Sequence, residues 1–129
     1  MGEFRPTFPQ FRDQGKGYLS DFLAKEGSPV VLFFCPREID GQDSWELISL
    51  VERLSAQYWR SIKFFWLNPS EEGPLAGKMS IGRRPVIILI HKNQEIGRFT
   101  CSSSEPGIYY EIEALLNPRH SQSPIPIRV

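Results

Sequence analysis

Three strongly apolar runs of strand formers stand out along the chain, at residues 30–35 (VVLFFC), 62–67 (IKFFWL) and 85–90 (PVIILI). The first has no polar face at all, the pattern of a central strand in a sheet covered on both sides. Between the first two runs, Leu47, Val51, Leu54 and Tyr58 recur at spacings of four, three and four, a helical stripe. Asp43-Ser44-Trp45-Glu46 just ahead of it has the acidic residue and the Glu three positions on that predict a capped helix start at Asp43. A short helix is predicted over Tyr18–Lys25 with Tyr18, Phe22 and Leu23 on its inner side, stopped by Gly27-Ser28-Pro29. Another is predicted over 74–80, with Pro74 in its first turn. The third apolar run turns at 91–94 into a shorter, more polar strand over 95–101, suited to a sheet edge. Ser104 then caps a final helix through Leu116, with Ile108, Ile112 and Leu115 or Leu116 inward. Residues 37–41 read as a polar loop and 68–73 as a turn.

The flanks differ from this middle. Residues 1–17 hold Pro6, Pro9, Gly15 and Gly17 among Phe4, Phe8 and Phe11, which predicts an irregular arm with its aromatics laid on the domain. Residues 117–129 carry Pro118, Pro124 and Pro126 and read as a flexible, proline-rich tail. The folded domain then spans 18–116. Its order is helix, strand, helix, strand, helix, strand, strand, helix. Two parallel strands joined by a helix, followed by a hairpin, make an α/β fold with a mixed sheet sandwiched between helices.

Composition narrows the function classes. The 129 residues are 40% hydrophobic and 23% charged, as in an ordinary globular domain. Fifteen Lys plus Arg against fifteen Asp plus Glu give zero net charge, which argues against a dedicated nucleic-acid or acidic-membrane surface. The longest apolar run, 86–90, is far below the ~20 residues that span a bilayer. The first residues show no basic segment followed by an apolar stretch, so a secretory signal is not expected and the cytoplasm is the default compartment. Two histidines, His91 and His120, and two distant cysteines, Cys35 and Cys101, form no metal-ligand spacing, and no cofactor is expected.

Residues 54–68 (LSAQYWRSIKFFWLN) resemble the end of the second helix of the thioredoxin family running into its central strand. Residues 79–99 (MSIGRRPVIILIHKNQEIGRF) resemble the family segment in which a cis-proline opens a strand and a KNGE-like hairpin follows. The resemblance covers roughly 18–116. It implies a thioredoxin-like fold, with Pro85 at the cis-proline position and Lys92-Asn93-Gln94-Glu95 at the hairpin. The departure from the family is chemical. Its Cys-x-x-Cys uses the helix N-terminus to lower the first thiol's pKa, and the second thiol resolves the mixed disulfide. Counting back from Tyr58, that tetrad falls on Gly41, Gln42, Asp43 and Ser44, which hold no sulfur. The resemblance therefore implies a vestigial redox site and no thiol–disulfide oxidoreductase activity.

On the same alignment Cys35 lies in the central strand as a small buried hydrophobe. Cys101 lies near the end of the last strand, on the side that approaches the proline loop. A strand between them keeps the pair beyond the ~4.4–6.8 Å Cα separation of a disulfide. Arg84, just before Pro85, puts a cation where family members carry an apolar residue or Thr facing the substrate. An arginine-lined oxyanion site of the arsenate-reductase-like branch would need a catalytic Cys in the first loop, and residues 40–44 have none. The tryptophans Trp45, Trp59 and Trp66 read mostly as core, with an exposed one available to anchor a partner.

These residues predict a redox-inactive thioredoxin-like domain that acts by protein binding, as an adaptor, chaperone-like factor or assembly factor. Two alternatives stand beside it: a single-cysteine enzyme of glutathione or peroxide chemistry using Cys101, and a small-anion sensor using Arg83 and Arg84. The expected interaction face gathers Arg37, Arg83, Arg84 and Cys101. Its three positive charges suit an acidic or extended segment of a partner protein. In the competing arrangement the arginines pair with Glu38, Asp40 and Asp43 and close the vestigial site. Polar edge strands and the aromatic arm also allow a homodimer.

Overall fold

The structure is a computed structural model that describes residues 2–117. Among them lie β1 (Gly2–Glu3), α1 (Tyr18–Lys25), β2 (Val30–Phe34), β3 (Glu38–Ile39), α2 (Gln42–Tyr58), β4 (Lys63–Leu67), α3 (Gly73–Lys78), β5 (Val86–His91), β6 (Gln94–Phe99) and α4 (Glu105–Leu116). The expected tail lies outside the described residues beyond Asn117.

A four-stranded sheet of order β4-β2-β5-β6 is the frame. β2 pairs in parallel with β4, from Val30↔Lys63 to Phe34↔Leu67, and antiparallel with β5, from Val30↔Ile90 to Phe34↔Val86. As the sidedness of VVLFFC requires, every residue of β2 is buried. Alternate residues serve opposite layers. Val31, Phe33 and Cys35 pack with α2 and α4 through residues such as Leu47, Val51, Leu54, Ile108 and Ile112. Val30, Leu32 and Phe34 pack with Leu19 and Leu23 of α1, and half-buried Leu75 of α3 joins them. Each fully buried Val, Leu, Ile or Phe among them contributes roughly 1.5–3 kcal/mol on burial.

The arm is more ordered than its prolines and glycines suggest. β1 pairs antiparallel with β3, Gly2 opposite Ile39 and Glu3 opposite Glu38. The span expected as a polar loop over 37–41 thus contains a short strand, because Ile39, its one aliphatic residue, is buried and holds the segment against the core. Further along, the Phe11 N–H donates to the Trp66 carbonyl at 2.8 Å and the Trp66 N–H to the Pro9 carbonyl at 3.0 Å. The arm therefore covers the free edge of β4. Phe4 makes edge-on contacts with Phe33 and Trp66, ring centroids 5.4 and 5.3 Å apart. Two buried carboxylates fix the turn that follows. Glu72 accepts from the Asp13 and Gln14 N–H groups, and Asp13 accepts from the N–H groups of Gly17 and Leu19 at the start of α1.

Three further expectations are corrected. In α1 the core residues are Leu19 and Leu23, one turn apart, while Tyr18 is exposed, because the stripe that meets the sheet passes one position later than Tyr18. α2 starts at Gln42, not at a capping Asp43. Gly41 takes φ 90° and ψ 146°, a conformation open essentially to glycine alone, and this turns the chain into the helix one residue early. No side chain caps α2, and Asp43 sits in its first turn beside the positive end of the helix dipole. Finally, the Arg84–Pro85 bond is trans, since the described residues contain no cis peptide. An X–Pro bond takes the cis form only where its surroundings offset ~0.5–1 kcal/mol. Here it is approached through a bend whose two residues, Arg83 and Arg84, are exposed.

Candidate functional site

The carboxyl ends of the parallel strands β2 and β4 and the start of β5, antiparallel to β2, lie at one end of the sheet. Two open cavities lie there and share Arg83, Arg84 and Pro85 as a common wall. The larger, about 790 Å³, is lined on its other sides by Glu38, Asp40 and Ser44 and by the turn after β4. The smaller, about 440 Å³, is lined by Asp43, Arg98 and the segment Thr100, Cys101 and Ser102.

The structure thus places Asp43, Ser44, Arg83, Arg84, Pro85 and Cys101 around one site. Gly41 and Gln42 stand outside both cavities. Gln42 lines a depression with Trp45, Arg53 and Glu105 on another flank of α2. Arg37 is also apart. Its guanidinium lies 4.9 Å from the centre of the Trp66 ring and 3.7 Å from Glu71, while its carbonyl accepts from the Phe4 N–H at 2.7 Å. It belongs to the anchorage of the arm. Nor do the arginines close the site on themselves: among the described residues neither Arg83 nor Arg84 forms a salt bridge, and Glu38, Asp40 and Asp43 pair with no cation.

The two thiols are free. Cys35 is fully buried, its carbonyl accepting from the Trp66 indole N–H at 2.8 Å. Burial, reinforced by the neighbouring Cys101, pushes its pKa up to about 12, so it stays a neutral thiol. Cys101 is half-buried and packs at the margin of the same core layer. At the helix start, where a nucleophile would stand, Ser44 is a buried hydroxyl and Asp43 a carboxylate. The two cavities together present three guanidiniums, Arg83, Arg84 and Arg98, and three carboxylates, Glu38, Asp40 and Asp43. Among the described residues no three His, Cys, Asp or Glu side chains are grouped to hold a metal ion, and no helix is long and apolar enough to cross a membrane.

Arg98, Thr100 and Ser102 are among the members of this site that the sequence analysis did not single out. Thr100 Oγ1 and Ser102 Oγ lie 3.0 Å apart, and both residues line the smaller cavity with the arginines. The signal was the run TCSSSEP, polar residues between the end of a strand and a helix cap, which by spacing alone reads as a linker.

No protein-family model matches the chain, and no curated protein matches it. Solved structures do. A thioredoxin from Trypanosoma brucei brucei superposes with a TM-score of 0.68 at 10% identity, covering 90% of this chain and 96% of that one. A thioredoxin of Nicotiana alata gives 0.66 at 14% identity, with 87% and 96% covered. A mutant thioredoxin from Halobacterium salinarum NRC-1 gives 0.64 at 20%, with 88% and 95% covered. The likeness is of backbone, and with the sheet order and paired helix layers it leads to one conclusion: this chain has the thioredoxin-like fold, with Gly41-Gln42-Asp43-Ser44 at the helix start that the resemblance assigns to the family's two cysteines.

Proposed function

We propose that the domain is a redox-inactive thioredoxin-like module that works by binding an acidic, extended segment of a partner protein, as an adaptor or assembly factor. One observation carries this reading. Arg83 and Arg84, exposed and without a carboxylate partner among the described residues, form the wall between two cavities at the sheet end. A pair of unneutralised guanidiniums favours an anionic guest and steers its approach. The absence of sulfur from residues 41–44 removes the exchange chemistry, since a hydroxyl is no substitute for a thiolate at neutral pH.

The test has two arms. Insulin reduction driven by dithiothreitol should proceed at the uncatalysed rate with the protein present; turnover like that of a thioredoxin would reject redox inactivity. Binding of immobilised extended peptides should favour those rich in Asp and Glu, and Arg83→Glu with Arg84→Glu should abolish it at unchanged melting temperature. Unchanged binding by the double variant would reject the site.

A further inference from the structure

We infer that the anionic group this face takes is a phosphate monoester on a peptide side chain, seated in the smaller cavity between the arginine pair and the Thr100–Ser102 wall; the inference rests on the peptide-binding reading above. The first ground is how the other arginines are spent. Arg5, Arg12, Arg37, Arg53 and Arg98 each have a carboxylate within 3.7 Å, and Arg60 lies over the Trp59 ring. Among the described residues, Arg83 and Arg84 alone of the arginines have neither. The two donor-rich side chains left without an acceptor are neighbours in sequence and flank the same cavity.

The second ground is valence. A carboxylate has two oxygens, and one guanidinium fork satisfies both. Two adjacent guanidiniums and a pair of hydroxyls lining one cavity offer more donors than that. Thr100 Oγ1 and Ser102 Oγ are bonded to each other, so one of the two O–H groups is left to donate outward. A phosphate monoester brings three terminal oxygens and a charge of about −1.5 to −2, which two guanidiniums and a hydroxyl match in both number and sign.

The third ground is the distribution of acids. Arg98 also lines the smaller cavity, but Glu95 holds it at 2.8 Å, so its charge is already answered. Asp43 is the one carboxylate on the wall of this cavity, whereas Glu38 and Asp40 both line the larger one. The excess of positive charge therefore lies on the smaller side, and its volume of about 440 Å³ accommodates a phosphorylated side chain with water.

Calorimetric titration of the full chain tests this with one extended peptide in three forms, carrying phosphoserine, serine or glutamate at the same position, and with inorganic phosphate alone. The phosphopeptide should bind at least tenfold more tightly than the glutamate form. Arg83→Ala with Arg84→Ala should erase that difference while leaving the melting temperature unchanged, because both side chains are exposed. Equal affinity for the phosphoserine and glutamate forms overturns the phosphate assignment and leaves the acidic-peptide reading standing. Binding of none of the peptides overturns both. Inorganic phosphate binding as tightly as the phosphopeptide overturns the peptide half of the inference and points to a free oxyanion. A phosphate preference that survives the double substitution overturns the assignment to the arginine pair.

Discussion

Glu95 and Arg98 point to the same face of β6, although residues three apart on a regular strand point to opposite faces. The irregularity opposite Leu89 and Ile90 accounts for it. Gly97 pairs with Leu89 and Glu95 with Ile90, so the ladder skips Ile96 and the side-chain alternation shifts by one. The two side chains then meet in a bidentate pair, both bonds 2.8 Å long. The bulge and the paired charges also blunt an otherwise free sheet edge against pairing with another chain. Hydrogen bonding to Arg98, outweighing the cost of partial burial, holds the Glu95 carboxyl below its usual range. A carboxyl depressed in the folded state contributes stability above its unfolded pKa and loses it as pH falls through the folded one. The pair is partly exposed, so Glu95→Gln is expected to cost only ~0.2–1 kcal/mol at pH 7. Urea unfolding of the wild type and the variant should converge as pH falls through the depressed folded range of Glu95; a gap that persists once this carboxyl is fully protonated would mean that packing, not charge, is at stake.

Gly41 predicts a larger loss. An added Cβ there meets no atom within 4 Å, yet φ is +90°. Gly41→Ala is therefore a test of backbone strain with no steric clash, expected to cost ~1–3 kcal/mol. Denaturant melts of Gly41→Ala against Gly27→Ala, a glycine with equally open surroundings and no positive φ, would isolate the effect. Equal stability of the two variants would show that the start of α2 relaxes freely.

The elements whose burial is decided locally were legible from the chain. VVLFFC announces a strand covered on both faces, and Ser104 does cap α4, its Oγ accepting from the Gly107 N–H at 3.1 Å. The features that escaped depend on partners distant in sequence. β3 exists because β1 reaches it from the arm, and the turn before α1 holds because Glu72, far along the chain, accepts from the Asp13 and Gln14 N–H groups. The same divide runs through the site. Arg83 and Arg84 were conspicuous as an adjacent pair beside a strand. That Arg37 stands with Trp66 and Glu71 instead of with them follows from tertiary packing and leaves no trace in local pattern.

The arm should contribute more than its irregular outline suggests. Phe4 is 1% exposed and touches both Phe33 and Trp66. Phe4→Ala is expected to cost ~3–5 kcal/mol, as for a core aromatic, and to speed exchange of the Phe11 and Trp66 amides that bind the arm to β4. A loss below ~1 kcal/mol would mean that the arm is only loosely associated with the domain.

Cys35 predicts a signature at alkaline pH and in thiol chemistry. Its folded pKa of about 12 lies well above the ~8.5 of a free cysteine, chiefly through burial. A raised pKa means that its neutral form is favoured in the fold. The associated stability is complete below the unfolded pKa and is lost as pH rises from there toward 12. Tyr58 adds to the same alkaline loss, its hydroxyl pushed up by burial and by its bond to Glu113, but only from about pH 10, where an unfolded tyrosine ionises. The interval from about pH 8.5 to 10 therefore belongs to Cys35 among these two. Cys35→Ala should lower stability at pH 7 through its cavity, yet show a flatter decline across that interval than the wild type. In parallel, Ellman's reagent at pH 8 should leave Cys35 unmodified in the native protein, at most Cys101 reacting, and count both thiols in guanidinium chloride. Native modification of Cys35 at a free-cysteine rate would show that the end of β2 opens to solvent, and an unchanged alkaline slope in Cys35→Ala would remove burial of this thiol as its cause.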